Sequence, residues 1–118
     1  MSKNWSERLA ALKGAVAILR GGNPDVMKPF GALSAAALEP KVLDTRTKEL
    51  IALAVAVAAR CEGCIASHAE AAVRHGASRE AVLEAMGVAV WMSAGLGVMY
   101  AAQALEAFDQ FAAQARPV

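Results

Sequence analysis

Residues 50–59, with the sequence LIALAVAVAA, form an apolar run that predicts the fold class. The run contains no charged or polar side chain, and its most frequent residue, alanine, is the strongest helix former. A helix that is apolar on every side is typical of the buried centre of a helical protein. We therefore expect a central, buried helix that begins at Asp44 or Thr45 and ends at about Arg60.

The composition of the whole chain favours the same fold class. The 118 residues are 57% hydrophobic but only 5% aromatic, so the apolar content comes mainly from Ala, Val, Leu and Met. Aromatic residues and threonines, which favour strands, are scarce. A chain of this length fits one domain. We expect an all-α, single-domain helical bundle over residues 1–118.

Glycines, prolines and capping residues divide the chain into about six predicted helices. Gly22 and Pro24 separate the first two, and Gly76 is placed to cap the fourth. The segment SAGLG at 93–97 reads as a break between the last two. The predicted helices cover residues 5–20, 25–38, 44–60, 62–75, 78–93 and 96–114.

A long uncharged stretch at residues 85–105 bears on assembly. Its length is close to the ~20 residues that a membrane span needs. Gly87, Gly95 and Gly97 interrupt it, which favours two buried helices over a span, so we expect no membrane association. Because so small a chain cannot cover this surface by itself, we expect a homo-oligomer with the stretch buried between subunits.

Charge and cysteine content limit the partners and the compartment. The net charge is +1 and the basic residues are scattered, so we expect no nucleic-acid partner. The first seven residues, MSKNWSE, lack the apolar core of a signal peptide, and we expect a cytoplasmic protein. Two cysteines three positions apart in that compartment serve redox chemistry or metal binding more often than structure.

Those two cysteines lie in the segment Cys61-Glu-Gly-Cys64-Ile-Ala-Ser-His68. If the segment is helical, the two thiols and the imidazole share one face. The cysteines also lie at the helix N-terminus, where the macrodipole stabilises a thiolate. His68, four residues after Cys64, can accept its proton. Because residues three apart approach closely on a helix, we expect oxidation to join Cys61 and Cys64 within one chain.

Other readings of this segment remain open. Buried cysteines are often inert, and zinc accepts the ligand types that Cys61, Cys64, His68 and His75 provide. His75, however, lies about 16 Å along the helix axis from Cys64, at about 1.5 Å per residue, too far for one zinc ion within a subunit. We expect no metal site, and His75 is then a partner of the dipole at the helix C-terminus.

Glu49 is the remaining candidate site residue. It directly precedes the apolar run, in what we predict to be the first turn of its helix. A carboxylate there interacts favourably with the helix dipole. Alternatively, Glu49 orients His68 or relays its proton, as a carboxylate does for the imidazole of a catalytic triad. The residues alone leave both roles open.

Three segments together resemble the carboxymuconolactone decarboxylase family in its alkyl hydroperoxidase D-like branch: KELIAL at 48–53, Cys61-x-x-Cys64-x-x-x-His68, and GASRE at 76–80. The resemblance covers about residues 43–111. It implies an all-α fold assembled into dimers, trimers or hexamers, and no cofactor. It also implies a thiol pair that reduces a hydroperoxide and is regenerated by a dithiol or protein reductant. By this resemblance Cys64 is the attacking thiol, Cys61 the resolving thiol, and His68 with Glu49 the proton relay.

One departure from the hydroperoxidase pattern is Gly63, which stands where that branch has a histidine. The cysteine pair nevertheless favours a thiol–disulfide oxidoreductase with peroxide-reducing activity. One alternative is a cofactor-free decarboxylase or lactone-processing enzyme, with His68 and Glu49 as acid and base. Another is a non-enzymatic metal-binding or assembly module.

Overall fold

The computed structural model describes residues 3–116 and folds them into five α-helices. Met1, Ser2, Pro117 and Val118 are not described, so the predicted domain limits at 1 and 118 lie outside the described residues. No β-strand occurs between residues 3 and 116, and the all-α prediction is confirmed. The helices are α1 (Trp5–Gly22), α2 (Pro24–Leu38), α3 (Thr45–Ala58), α4 (Glu62–Arg74) and α5 (Arg79–Ala115).

The prediction of six helices is wrong in one place, because α5 covers both of the last two predicted helices, at 78–93 and 96–114. The expected break is a bend at Ala94, whose φ of 55° and ψ of −142° are not helical. A Cβ on Gly97 would lie 2.7 Å from the Cβ of Ser93 and 3.3 Å from the carbonyl oxygen of Ala89. The two halves of α5 therefore approach closely at the bend because residue 97 has no side chain.

The helix starts follow the capping residues in the sequence. The carboxylate of Asp44 accepts a hydrogen bond of 2.7 Å from the backbone N–H of Thr47 at the start of α3. The hydroxyl of Ser78 accepts one of 3.1 Å from Ala81 at the start of α5. Each cap supplies an acceptor to an N–H that has no partner inside its helix. These local signals explain why the predicted starts are close to the observed ones.

Helix α4 ends in a Schellman motif that uses a glycine. Gly76 has a φ of 81°, in the left-handed region. Its N–H donates to the carbonyl of Val73 at 3.0 Å, and the N–H of Ala77 donates to the carbonyl of Ala72 at 2.9 Å. Glycine is the usual residue at this position because it has no Cβ to clash in the left-handed conformation.

Helix α3 ends in the same motif, but with an arginine. Arg60 has a φ of 57°, and its N–H donates to the carbonyl of Val57 at 3.1 Å. The N–H of Cys61 donates to the carbonyl of Ala56 at 3.0 Å. This turn ends the helix at Ala58, two residues before the predicted end, and directs the chain into the cysteine motif.

The core lies among α3, α4 and α5 and is closed by the start of α1. Trp5 is fully buried, and its indole Nε1 donates a hydrogen bond of 2.8 Å to Glu106 on α5. Many of the remaining core positions are alanines, which let the helix backbones approach closely. The largest fully buried side chains are Trp5, Leu53, Ile65, Val57 and Val82.

The expected burial of residues 50–59 on all sides is wrong for the single chain. Leu53 and Val57 are buried, but Ile51 and Val55 are 49% and 59% exposed. Helix α3 packs against α4 and α5 through its buried residues and leaves Ile51 and Val55 exposed.

The uncharged part of α5 is also largely exposed. Trp91 is 80% exposed and Met92 is 70% exposed. By length and composition alone, α5 is the one helix in residues 3–116 able to cross a membrane, and 22% of its apolar window is buried. Assembly through this surface and the absence of membrane association both stay predictions.

Candidate active site at the start of helix α4

Cys61 lies just outside α4 rather than on its helical face, which corrects the predicted stripe of two thiols and an imidazole. Its φ of −103° and ψ of 97° are extended, and the helix begins at Glu62. Its sulfur accepts a hydrogen bond of 3.2 Å from the backbone N–H of Cys64. The physical reason is the left-handed turn at Arg60, which leaves Cys61 as the N-cap of α4.

Cys61 and Cys64 form a disulfide, as the spacing predicts. Their Cα atoms are 5.2 Å apart, within the range of roughly 4.4–6.8 Å that disulfides occupy. The bond therefore joins the N-cap to the third helical residue. Both cysteine residues are half-buried, which leaves the disulfide partly accessible to solvent.

Glu49 and His68 are brought together by the packing of α3 against α4. Oε1 of Glu49 lies 2.7 Å from Nδ1 of His68. Glu49 is 3% exposed and is the one buried charged side chain among residues 3–116. The prediction that Glu49 lies in the first turn of α3 is wrong, because the helix begins at Thr45. An interaction with the helix dipole is therefore not the main role of Glu49. The structure instead places this carboxylate against the imidazole.

The pairing leaves the other ring nitrogen of His68 free for chemistry. When Nδ1–H donates to the Glu49 carboxylate, Nε2 carries the lone pair. Among the described residues, Nε2 forms no hydrogen bond, and the side chain is 29% exposed. His68 lies one helical turn after Cys64, on the same α4. Nε2 is therefore the atom that can exchange a proton with a reacting group.

Glu62 is the charged residue between the two cysteines. The sequence analysis did not predict its ion-pair partners. Its carboxylate forms an ion pair of 2.9 Å with Nζ of Lys3 and a second one with Nε of Arg8. The hydrogen bond from Lys3 is the main cause that lowers the pKa of Glu62, and Arg8 adds to the effect. Two cations thus offset the negative charge beside the disulfide. No local pattern could reveal this, because both cations come from the N-terminal end of the chain.

Gly63 is also covered by α1. A Cβ on Gly63 would lie 2.7 Å from Cδ2 of Leu12. Any side chain at this position needs Leu12 to move. Leu12 of α1 thus occupies the space that a side chain at position 63 would need.

The four residues considered for zinc are not gathered at one point. Within residues 3–116, no group of three or more His, Cys, Asp or Glu side chains is arranged to hold a metal ion. His75 is exposed at the end of α4, and its Nε2 lies 3.3 Å from Nη1 of Arg74. His68 is instead engaged by Glu49.

Comparison with known proteins identifies the family. Residues 24–107 match the carboxymuconolactone decarboxylase family. The chain belongs to this family. The match includes all of α2, α3 and α4 and most of α5. It therefore includes every residue of the candidate site except Lys3, Arg8 and Leu12, the N-terminal partners of Glu62 and Gly63. The family prediction is confirmed.

Relatives in this family share both sequence and fold with the chain. The crystal structure of an apo carboxymuconolactone decarboxylase family protein from Legionella pneumophila superposes with a TM-score of 0.90 at 43% identity, covering 94% of this chain and 99% of that one. An uncharacterized protein from Haemophilus influenzae is 44% identical over 109 residues, which are 92% of this chain and 96% of the relative. An uncharacterized protein encoded in the cox locus of Paracoccus denitrificans is 43% identical over 81 residues, 69% of this chain and 73% of the relative.

Proposed function

We propose that this protein is a thiol–disulfide oxidoreductase that reduces hydroperoxides through Cys61 and Cys64. The observation that carries the proposal is the Cys61–Cys64 disulfide at the start of α4, one turn from a histidine that a buried glutamate holds. Membership of a family that contains peroxide-reducing enzymes adds support.

In the reduced protein, Cys64 is the proposed attacking thiol. It lies in the first turn of α4, where the helix dipole favours a thiolate. Nε2 of His68 accepts the thiol proton, and Glu49 stabilises the resulting imidazolium. The thiolate attacks one peroxide oxygen and the O–O bond breaks. The proton goes to the leaving alkoxide, giving an alcohol, and Cys64 becomes a sulfenic acid.

Cys61 then resolves the sulfenic acid. Its sulfur attacks the sulfur of Cys64, the S–O bond breaks, and the hydroxyl leaves with a proton as water. The product is the Cys61–Cys64 disulfide seen in the structure. In the product the sulfur of Cys61 accepts a hydrogen bond from the backbone N–H of Cys64, and the Cα atoms are 5.2 Å apart.

Regeneration requires two electrons from outside the protein. A dithiol, either a small molecule or a protein, attacks the disulfide through a mixed disulfide and leaves both cysteines reduced and itself oxidised. The half-buried sulfurs fit access by such a partner.

The decisive experiment is peroxide consumption with a dithiol reductant supplied. The wild type is expected to turn over, while Cys64→Ser is inactive. Without the dithiol, Cys61→Ser should consume one equivalent of peroxide and stop at the sulfenic acid of Cys64, since it cannot form the intramolecular disulfide. His75→Ala, which changes the histidine outside the site, serves as the matched control and keeps full activity. Equal consumption by wild type and Cys64→Ser would refute the proposal.

A second candidate is a cofactor-free decarboxylase or lactone-processing enzyme. It is favoured by the Glu49–His68 pair, whose hydrogen bond involves neither sulfur and leaves Nε2 available as acid or base. The test is release of carbon dioxide from carboxymuconolactone by a Cys61→Ser, Cys64→Ser double variant. Release that survives in this variant and is lost in His68→Ala favours the second candidate.

A further inference from the structure

Lys3, just before α1, is held against α5 by its backbone. Its N–H donates a hydrogen bond of 3.2 Å to Oε1 of Glu106, and its carbonyl accepts one of 2.7 Å from Nε2 of Gln110. Trp5, two residues later and fully buried, donates from its backbone N–H to Oε1 of Gln110 at 2.9 Å. These contacts fix the chain at the point from which the Lys3 side chain extends.

The ammonium of Lys3 is held as well. Nζ donates a hydrogen bond of 3.0 Å to Oε1 of Gln103 on α5 and forms an ion pair of 2.9 Å with Glu62 at the start of α4. It also lies 5.6 Å from the centroid of the Trp5 ring, within the ~6 Å of a cation–π contact. These partners order a side chain that is otherwise flexible and place its charge beside the residue between the two cysteines.

Glu62 binds a second cation through the same oxygen. Nε of Arg8 forms an ion pair with Oε1 of Glu62, the atom that Lys3 also contacts, and this oxygen is buried from solvent. Within residues 3–116, Lys3 and Arg8 form ion pairs with no other carboxylate. Two cations that share one carboxylate leave the group with a net positive charge.

This net charge lies at the helix start that carries the disulfide. Glu62 is the first residue of α4, and Cys64 follows two residues later. A carboxylate at the first position suits the helix dipole, but it opposes a second negative charge when Cys64 ionises. Neighbouring cations have the opposite effect and favour the thiolate. Lys3 and Arg8 therefore offset the cost of an acidic residue between the cysteines.

The remaining charged groups near this segment come from α3, α4, α5 and the turn before α4. Glu49 of α3 is paired with His68 of α4, and Arg60 in the turn is exposed. Glu106 of α5 accepts hydrogen bonds from the residues just before and at the start of α1. None of them forms an ion pair with Glu62 among the described residues. The two N-terminal cations are thus the groups that offset its charge.

We propose that Lys3 and Arg8 are positioning residues of the redox pair. By offsetting the charge of Glu62, the two cations keep Cys64 more acidic and the disulfide easier to reduce than α4 alone would. The inference rests on the proposed function, in which Cys64 is the attacking thiol. When an external dithiol reduces the protein, the S–S bond breaks, the dithiol becomes a disulfide, and its two electrons and two protons pass to the cysteines. Cys64 then releases its proton, and cations that stabilise the thiolate favour this reduced state.

The test is the acidity of Cys64 in a Cys61→Ser background, where it is the one remaining thiol. The apparent pKa is read from the ultraviolet absorbance of the thiolate at low ionic strength. Lys3→Met should raise this pKa by roughly half a unit to one unit, and Glu62→Gln should lower it. Lys28→Met, which removes an exposed lysine of α2, makes the same change of charge and should leave the pKa unchanged.

The opposite signs separate an electrostatic role from a structural one. Lys3→Met and Glu62→Gln break the same ion pair, so a merely structural contact would move the pKa in the same direction in both variants. Lys3→Arg keeps the charge and should stay closer to the wild type than Lys3→Met does. Both shifts should shrink in about 1 M salt, where charges are screened within ~3 Å.

Arg8→Met repeats the test at an exposed position, where loss of folding is not expected. It should raise the pKa of Cys64 as Lys3→Met does. Shifts of the same sign in the Lys3 and Glu62 variants would overturn the proposal. So would the absence of a shift in both Lys3→Met and Arg8→Met.

A redox titration of the protein with both cysteines tests the effect on the disulfide. In equilibrium with oxidised and reduced dithiothreitol, Lys3→Met should hold a larger disulfide fraction than the wild type, and Glu62→Gln a smaller one. If the wild type consumes no peroxide but the shifts have opposite signs, the peroxidase proposal fails and the role of the two cations stands. If peroxide is consumed and the shifts are absent, only the role of the cations fails.

Discussion

Oε1 of Glu49 lies 2.7 Å from Nδ1 of His68, although the two residues are 19 positions apart and belong to different helices. The contact holds Nδ1 and leaves Nε2 without a hydrogen bond among the described residues, which is the basis of the proposed proton transfer. We expect His68→Ala to lower peroxide consumption by about 10²-fold or more, the usual contribution of a positioned acid–base group. Glu49→Gln should lower it less, since Glu49 acts through His68. Rates are measured at saturating dithiol, and a Glu49→Gln rate equal to that of the wild type would contradict this role.

Cys64 should be the more reactive thiol of the reduced protein. Both cysteines lie at the start of α4, but only Cys64 has His68 one turn later on the same helix. A limiting alkylating reagent between about pH 6 and 7, below the ordinary thiol pKa of about 8.5, should label Cys64 first. Peptide mass spectrometry gives the site, and the preference should weaken in His68→Ala. Preferential labelling of Cys61 would reverse the assigned roles of attacking and resolving thiol.

The contact between Leu12 and Gly63 predicts that a histidine cannot simply be restored at this position. Gly63→His should destabilise the protein by about 1–3 kcal/mol, because the ring displaces Leu12. Urea denaturation measures the loss, and adding Leu12→Ala should recover part of the loss caused by Gly63→His. Gly14→His is the matched control, since a side chain there meets open space. Equal effects of the two histidine substitutions would show that α1 does not restrict Gly63.

The ion pairs of Glu62 predict a pH-dependent contribution to stability. Because Lys3 and Arg8 lower its pKa in the folded protein, the contribution is fully present above the ordinary value of 4.5. It is lost as the pH falls below 4.5 through the folded pKa. Glu62→Gln should therefore be less stable than the wild type at pH 7, with the difference shrinking in acid. Thermal unfolding across pH measures this, with the exposed Glu84→Gln as control; a difference that is constant with pH would exclude the ion pairs as its cause.

The exposed apolar surface of α5 predicts that the protein is an obligate homo-oligomer. Trp91 and Met92 are 80% and 70% exposed in the single chain, more than an isolated soluble subunit usually tolerates in one patch. Sedimentation at micromolar concentration, without detergent, should show no dominant species with the mass of one chain. Trp91→Lys should dissociate the assembly, whereas Gln114→Lys, at an exposed polar position, should not. A stable wild-type monomer would refute the prediction.

The helical class, most helix ends and the Cys-x-x-Cys motif could be recognised in the sequence alone. Alanine-rich apolar runs, the caps Asp44 and Ser78, and Gly76 after α4 act on the backbone within a few residues, so their effect can be seen locally. The pairing of Cys61 with Cys64 is equally local, since their spacing already brings the sulfurs within reach. The segment SAGLG at 93–97 correctly predicted where α5 is interrupted, but not that the interruption is a bend at Ala94 within one helix.

Contacts between side chains on different helices could not be predicted and depend on the tertiary structure. The sequence left Glu49 with two possible roles, and the packing of α3 on α4 places it against His68. Lys3 and Arg8 reach Glu62, and Leu12 covers Gly63, because α1 and the residues just before it pack against the start of α4. These contacts depend on the relative placement of whole helices, which is set by the packing of the shared core and not by the residues on either side of each contact.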